Sequence, residues 1–403
     1  MVKKGADKIP LLFGWFIILA MLPQLLGFNG SMFDTLYKLV AIGILTFVMV
    51  LKYNSGKVSL FSILYMLVSV INVAGTVLIN NVSFFTEITA LVTELLLLYI
   101  LYEGVKDEFL TTVDAIHSFY KVIAYFMLVA SIYNMIIHFN SLLHITSLTL
   151  YSSENISSFF DNKNTYGVFL IFGSLAASIL SINLKETKWS VFTLIFLINE
   201  LMAMCRTAVL ITSVLIVTSL FISRGKKIKD AVMLAMAVAV VLILTKNVGV
   251  VNNFITNNLF SDTDSLGARN NLVECMLPLI RGKQLWFGYG NTNASELALR
   301  FTGNRYYHNT YLKNVIVGGV INFALQILVI LKSIGYGFKC KKYDKNIGNL
   351  CLMSTIVYLI YAGVEAVVLL DTPVVSIMAT MFIVSMPILF YNTLSNEKSE
   401  LQK

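Results

Sequence analysis

Charged residues are scarce in this chain. Only 13% of its 403 residues are Asp, Glu, Lys or Arg, whereas 57% are hydrophobic, and the mean hydropathy is +0.78. A single soluble core could not bury this much apolar surface, which excludes an ordinary soluble domain. The apolar runs are continuous and roughly 20 residues long, so they predict helices that span a membrane rather than the alternating strands of a barrel.

Cysteine and histidine are also rare, with four residues of each. The cysteines stand singly, without the close spacing of metal sites or redox motifs, so the sequence predicts no metal or thiol chemistry. The net charge of +8 fits the lysine-rich cytoplasmic loops of a membrane protein better than nucleic-acid binding. His117, His138 and His144 have no context that suggests chemistry, whereas His308 opens an apolar run.

Twelve candidate spans follow from the lengths of the apolar runs. They lie near residues 10–28, 36–51, 58–80, 84–102, 115–139, 165–184, 189–205, 207–223, 231–247, 309–331, 348–370 and 373–391. The first follows basic residues as in a signal peptide, but no small-residue cleavage site comes after it, so it is interpreted as an uncleaved span. Lysine-rich connections predict that both termini are cytoplasmic. The sequence thus predicts an all-α polytopic membrane protein in which residues 1–403 form one integral membrane domain.

The longest connection, residues 248–308, lies between the ninth and tenth predicted spans on the outer side. Long loops of this kind are usually functional elements. Arg206 and His308 fall at the outer N-termini of the eighth and tenth spans. Exposed N–H groups and positive dipole ends there favour an anion, and phosphate is the obvious candidate. Arg206 could instead be an interface anchor, although the positive-inside tendency disfavours arginine at an outer helix end.

Arg269 belongs to the same loop, where it opens a predicted short helix. Arginine suits a phosphate because its planar fork binds two oxygens and never loses its charge. Arg281 and Arg300 are solvated loop residues in the simplest interpretation. Tyr289 offers a flat face on which a sugar ring could stack, although packing is the commoner role of a loop aromatic.

His308 is the candidate general base. A positive helix end disfavours the imidazolium, so the neutral ring could accept a proton from a sugar hydroxyl. Arg305 and Asn309 flank it and could hold substrate oxygens. Gly319 follows eleven residues later on the same predicted helix face, and with Gly318 it would let a neighbouring helix approach closely. The alternative is a histidine that only marks the membrane boundary or binds lipid headgroups.

Together these motifs resemble the superfamily of O-antigen ligases and Wzy-type polysaccharide polymerases. The features that carry the resemblance are Arg206 with Leu210, the loop Arg269, the glycine-rich run LWFGYGN, the pair His308 and Gly319 in HNTYLKNVIVGG, and Asn164 in DNKNTYG. The chain departs from the pattern at Val273, where an aromatic residue is often found four positions after the loop arginine.

The resemblance implies a GT-C-like helical membrane enzyme that needs no metal or other cofactor. Its donor and acceptor would be oligosaccharide repeat units on undecaprenyl diphosphate, joined at the outer face of the bacterial cytoplasmic membrane into capsular, exopolysaccharide or O-antigen chains. A flippase and a chain-length regulator are the implied protein partners. Arg206 and Arg269 would bind the diphosphate, and His308 would activate the acceptor hydroxyl. Further substrate contacts are expected from Asn164, Asn309, Arg305 and Tyr289.

Two other functions stay open. An O-antigen-type ligase would use the same donor but a different acceptor, and a flippase or transporter would move the lipid-linked oligosaccharide without reaction. Glu94, Glu200 and Glu365 fall inside predicted spans, where a carboxyl group is costly unless it is paired or faces a cavity. They could relay protons in a transporter. Alternatively, Glu200 and Glu365 could pair with the site arginines or orient the acceptor.

Overall fold

The structure, a computed structural model, describes residues 8–28, 32–53, 58–80, 82–106, 111–145, 153, 156–223, 273–302 and 307–401. These residues form helices, turns and loops and no β-strand, which confirms the all-α fold class. The ninth predicted span, 231–247, lies outside the described residues, and so do Arg269 and Arg305.

Sixteen helices are labelled here in chain order. They are α1 (Ile9–Ala20), α2 (Leu22–Leu25), α3 (Met32–Tyr53), α4 (Leu60–Asn80), α5 (Phe84–Leu98), α6 (Val113–Ile137), α7 (Phe139–Leu143), α8 (Lys163–Leu184), α9 (Thr187–Met202), α10 (Arg206–Ser223), α11 (Lys283–Phe287), α12 (Asn291–Thr302), α13 (Thr310–Lys341), α14 (Lys345–Ala362), α15 (Val374–Thr380) and α16 (Met386–Leu401). A π-helical turn, Met381–Ser385, joins α15 to α16, and another, Tyr99–Glu103, continues α5.

Two compact units divide these helices. The first is drawn from Thr35–Val113 and Thr263–Lys403, so it holds most of α3 together with α4, α5 and α11 to α16. The second is drawn from Lys8–Asp34 and Asp114–Asp262 and holds α1, α2 and α6 to α10. His308 belongs to the first unit and Arg206 to the second.

Six helical stretches among the described residues are long and apolar enough to cross a membrane. They are Leu60–Asn80, Phe84–Lys106, Val113–Ile137, Lys163–Leu184, Thr310–Lys341 and Val374–Ser399. Shorter apolar helices are found at Ile9–Ala20, Leu36–Leu51 and Arg206–Ser219. A membrane-embedded helical protein is thereby confirmed, whereas the count of twelve spans and the outer position of the long loop stay predictions.

In the part of the chain that the structure describes, four helices begin at a polar side chain that accepts a hydrogen bond from a backbone N–H three residues on. They are α5 at Ser83, α8 at Asn162, α13 at Asn309 and α14 at Asp344. Each cap satisfies a donor that would otherwise be unpaired at the helix end. Because Asn309 is the cap, His308 stands two residues before Thr310, the first residue of α13.

The eleventh predicted span, 348–370, is wrong at its C-terminal end, because α14 ends at Ala362. The apolar residues that follow are buried but not helical, and side chains bind their backbone groups. Gln326 Nε2 donates to the Leu369 carbonyl at 3.1 Å, and Thr380 Oγ1 accepts from the Leu370 N–H at 3.0 Å. Non-helical backbone is tolerated in an apolar environment when protein groups satisfy it in this way.

Helix α13 is broken at Gly318 and Gly319, whose φ/ψ angles of −126°/15° and 69°/−166° are not helical. The carbonyls of Ile316 and Val317 accept hydrogen bonds from the backbone N–H groups of Tyr289 and Gly290, at 2.8 and 2.9 Å. Residues 286–290, called the glycine-rich turn below, therefore pack against the break.

One part of the expectation for the glycine pair is confirmed and the other is wrong. A neighbouring helix does approach Gly319 closely, because a Cβ added to Gly319 would lie 2.3 Å from the carbonyl carbon of Trp286, which belongs to α11. His308 and Gly319 do not share a helix face, because His308 precedes the helix and Gly319 interrupts it. The requirement for glycine comes from a positive φ together with close backbone contact.

We expect Gly319→Ala to lower the free energy of unfolding by at least about 2 kcal/mol, because alanine is strained at this φ and its Cβ would overlap the turn. Thermal unfolding of the purified protein in detergent measures the change. Gly335→Ala is the matched control in the same helix: no neighbouring atom lies within 4 Å of its added Cβ, and it should be neutral or slightly stabilising. Equal melting temperatures for the two variants would contradict the broken helix.

Candidate functional site

His308 forms a close pair with Glu365, which follows the end of α14. The Nδ1 atom of His308 lies 3.1 Å from Glu365 Oε1 and 3.4 Å from Oε2, and both side chains are partly exposed. Glu365 was expected inside a span; its actual position in the loop after α14 allows this contact. His308 itself has a φ of 46°, an unusual backbone conformation for a non-glycine residue.

Neighbouring residues fix this pair from both sides. Asn309 caps α13 through Oδ1, and its Nδ2 donates to the Gly363 carbonyl at 2.9 Å. The hydroxyl of Thr310 donates to the Glu365 carbonyl at 2.7 Å and accepts from the Val367 N–H at 2.8 Å. The start of α13 therefore holds the loop that carries Glu365 in register with His308.

The His308–Glu365 pair has the arrangement of an oriented general base. If Nδ1–H donates to the carboxylate, the neutral imidazole carries its basic lone pair on Nε2. The carboxylate also stabilises the imidazolium that forms when Nε2 takes a proton. The sequence alone does not pair His308 with Glu365, because the two residues are 57 positions apart along the chain.

Asn309 and Tyr289 both have structural contacts in addition to their predicted substrate roles. Both amide atoms of Asn309 already bind protein atoms, as described above. The Tyr289 hydroxyl donates to the Leu279 carbonyl at 2.7 Å, and burial raises the pKa of this phenol, so it remains a neutral donor. A substrate contact at either residue stays a prediction.

The glycine-rich turn is anchored on α4 as well as on α13. Thr76 Oγ1 donates to the Phe287 carbonyl at 2.6 Å, and Asn80 Nδ2 donates to the Gly288 carbonyl at 2.9 Å. Just beyond the turn, Glu87 of α5 accepts from the Asn291 backbone N–H at 2.7 Å and from its side-chain amide at 3.1 Å. Thr76, Asn80 and Glu87 were not predicted from the sequence. The signal that could have identified them is a polar side chain within an apolar run.

The part of the long loop after residue 272 packs on the start of α13 through apolar contacts. The buried cluster consists of Met276, Ala294, Ala298, Tyr307, Leu312 and Ile316. Burial raises the pKa of the Tyr307 phenol, whose hydroxyl donates to the Ala294 carbonyl. Tyr307, immediately before His308, and the first two turns of α13 therefore share one small core.

A polar cavity of about 100 Å³ lies beside the break in α13, within the first unit. Lys313 in its wall donates to Asp371 at 3.1 Å. Glu94, one of the acidic residues expected in a span, also lines it and accepts a hydrogen bond from Tyr65. The further polar residues of the lining include Asn72, Asn291, Asn314, Asn322 and Gln326. A group of polar side chains inside apolar helices marks a functional region rather than a packing region.

In the second unit, Arg206 is the first residue of α10, at the helix N-terminus where it was expected. Asn164 is the second residue of α8. The two helix starts meet, because Cys205 Sγ donates to the Lys163 carbonyl at 3.0 Å. Glu200 is buried in the same unit and accepts a hydrogen bond from Thr212 at 2.7 Å. The starts of α8 and α10, which carry Asn164 and Arg206, are therefore neighbours.

Residues 191–327 match the family model described as O-antigen ligase. No curated protein matches the chain. The matched region includes most of the residues that carried the resemblance, namely Arg206, Leu210, Arg269, the glycine-rich turn, His308 and Gly319, whereas Asn164 lies outside it. That resemblance is confirmed over about a third of the chain.

We expect Thr76→Val to loosen the glycine-rich turn, because it removes the hydroxyl that binds the Phe287 carbonyl. A net loss of about 1 kcal/mol should speed local opening roughly fivefold. Limited trypsin digestion at the exposed residues Arg281 and Lys283 reports that opening. Thr89→Val is the matched control, since the Thr89 hydroxyl also bonds the carbonyl four residues earlier but does not reach the turn. Equal cleavage rates would show that Thr76 does not anchor the turn.

Proposed function

We propose that this chain is a glycosyltransferase that polymerises oligosaccharide repeat units carried on undecaprenyl diphosphate. The observation that supports the proposal best is the His308–Glu365 pair at the start of a broken helix, inside the region that matches the O-antigen ligase family. We place the protein in the bacterial cytoplasmic membrane with both termini cytoplasmic and the site at the outer face, where the polymer would be capsule, exopolysaccharide or O-antigen.

The proposed reaction is a nucleophilic substitution at the anomeric carbon of the donor. His308 Nε2 takes the proton of the acceptor hydroxyl while that oxygen forms the new glycosidic bond. The bond from the anomeric carbon to undecaprenyl diphosphate breaks, and its electron pair leaves with the diphosphate. Arg206 and Arg269 are assigned to that leaving group because guanidinium forks neutralise phosphate charge. No metal ion is assigned a role.

A ligase is the nearest alternative within the same chemistry. It would use the same donor and base but transfer the glycan once, to an acceptor that is not a lipid-linked repeat unit. Purified protein in lipid, given a lipid-linked repeat unit, should yield a ladder of longer lipid-linked chains if it is a polymerase. A single transfer that requires a foreign acceptor would assign the chain as a ligase.

A flippase or transporter for the same lipid-linked oligosaccharide is the second candidate. Interrupted helices that border polar sites among membrane spans are typical of transporters, and α13 has this feature. Transport across sealed vesicles without any change in glycan length would support this candidate. The paired base at a helix start favours the enzyme, because a transporter has no need to activate a hydroxyl group.

We expect His308→Ala to abolish chain lengthening, with a loss of about 10²–10⁴ in rate, while the protein stays inserted and abundant. The assay is formation of the ladder from a lipid-linked repeat unit, with and without a chelator. His144→Ala is the matched control at an exposed histidine of the second unit and should retain full activity. Full activity of His308→Ala would assign His308 to the membrane boundary or to headgroup binding.

We expect Glu365→Gln to lower kcat about tenfold or more with little change in KM, because the amide cannot stabilise the imidazolium as a carboxylate does. Steady-state kinetics on the same substrate separates the two constants. Glu296→Gln, at an exposed position of α12, is the control for loss of a carboxylate in the first unit. A change confined to KM would reassign Glu365 to substrate binding.

Arg206→Lys and Arg269→Lys should each lose most activity, because lysine keeps the charge but not the bidentate fork. Chain lengthening measures the loss, and Arg300→Lys, at an exposed position of α12, controls for the chemistry of the substitution. Wild-type activity of either lysine variant would remove that arginine from the diphosphate site.

A further inference from the structure

The polar cavity beside the broken helix has features that the proposed reaction does not use. A cavity of about 100 Å³ has room for several water molecules, because each water needs roughly 10–15 Å³ of such volume. That is the scale of a single sugar ring rather than of an oligosaccharide. Polar and apolar groups share its wall, so an apolar lipid chain would leave the polar groups without partners.

Two buried oxygen atoms in the cavity wall need hydrogen-bond donors. Asn72 on α4 is 7% exposed and Gln326 on α13 is 4% exposed, and both side chains line the cavity. Among the residues that the structure describes, neither Asn72 Oδ1 nor Gln326 Oε1 has a hydrogen-bond partner. A buried acceptor without a donor is costly, and each of these oxygens exposes less than 1 Å². A turn of either side chain toward the cavity would therefore relieve that cost if the cavity held a ligand with hydroxyl or N–H groups.

The charges around the cavity restrict the class of that ligand. Lys313 in the wall is paired with Asp371, and the carboxyl groups of Glu87 and Glu94 remain, so an anion would be repelled. The amide side chains supply both donors and acceptors. A neutral polyol satisfies this mixed wall, because each hydroxyl group both donates and accepts.

The cavity is contiguous with the elements that carry the base. Lys313 follows His308 by five residues on the first turns of α13, and Asp371 lies on the same loop as Glu365. We propose that the cavity binds the terminal sugar ring of the acceptor glycan, with Asn72 and Gln326 accepting hydrogen bonds from its hydroxyl groups. This inference rests on the proposed glycosyl transfer and names the residues that recognise its acceptor.

The test combines binding with kinetics. Purified protein is titrated with methyl pyranosides of neutral hexoses, deoxyhexoses and N-acetylhexosamines, and thermal stabilisation reports binding. At least one pyranoside should stabilise the wild type and inhibit chain lengthening in competition with the acceptor. Asn72→Leu and Gln326→Met should each weaken that binding about tenfold and raise the acceptor KM to a similar extent. Asn392→Leu, whose amide bonds backbone carbonyls elsewhere in the first unit, should leave both readouts unchanged.

Two further titrations distinguish the other ligand classes. Stabilisation by Na⁺ relative to choline that disappears in the Asn72 and Gln326 variants would identify a cation site and overturn the proposal. Stabilisation by inorganic diphosphate that disappears in the same variants would overturn it in favour of the donor's leaving group. If neither variant folds, the wild-type protein still tests the proposal. The sugar subsite is rejected if none of the pyranosides both stabilises the wild type and competes with the acceptor.

Failure of this inference and failure of the proposed function give different results. His308→Ala should lose chain lengthening but keep pyranoside binding, since it leaves the cavity intact. Normal chain lengthening with an unchanged acceptor KM in both cavity variants would reject the sugar subsite while the enzyme stands. Pyranoside binding in a protein that never lengthens a chain would reject the enzyme, and with it the acceptor role of the cavity.

Discussion

Two backbone hydrogen bonds, from Tyr289 and Gly290 to the carbonyls of Ile316 and Val317, determine how the rest of the first unit can be arranged. They pair backbone groups at a break in an apolar helix, where lipid offers no partners. The turn that supplies them must approach the helix closely: a Cβ at Gly288 would lie 2.3 Å from the Val317 carbonyl oxygen. The polar residues of α4 and α5 then fix the other side of the turn.

The same principle explains the loop that carries Glu365. An apolar segment leaves the helical conformation after Ala362, and side chains from α13, α14 and α15 satisfy its backbone. Both irregular segments are therefore held by side chains of regular helices. His308, Glu365 and the cavity lie among these segments, where backbone and side-chain polar groups are available that a continuous helix would have used internally.

Local features of the fold could be predicted from the sequence, whereas its long-range pairs could not. The apolar runs are signals within a few residues of one another, and they predict most of the helices and the position of His308 at the start of one. The cap that Asn309 forms was not predicted, because Asn309 was assigned to the substrate. Hydropathy measures burial rather than helicity. It therefore predicts that the apolar run after Gly363 continues the span, although the helix ends at Ala362. The glycine pair predicts the close approach that α11 makes, but not the break in α13, because small residues suit both. Glu365 could not be paired with His308, because no local pattern links residues 57 positions apart.

The anchoring of the glycine-rich turn has a consequence for how the protein enters the membrane. Thr76, Asn80 and Glu87 bind partners that are synthesised 204 to 211 residues later. During translation the hairpin of α4 and α5 must therefore enter the bilayer with these side chains lacking their final partners, in surroundings where unsatisfied polar groups are costly. The hairpin of α4 and α5 can form these hydrogen bonds only after the glycine-rich turn and Asn291 have been synthesised. The order of synthesis is therefore a physical constraint on assembly of the first unit.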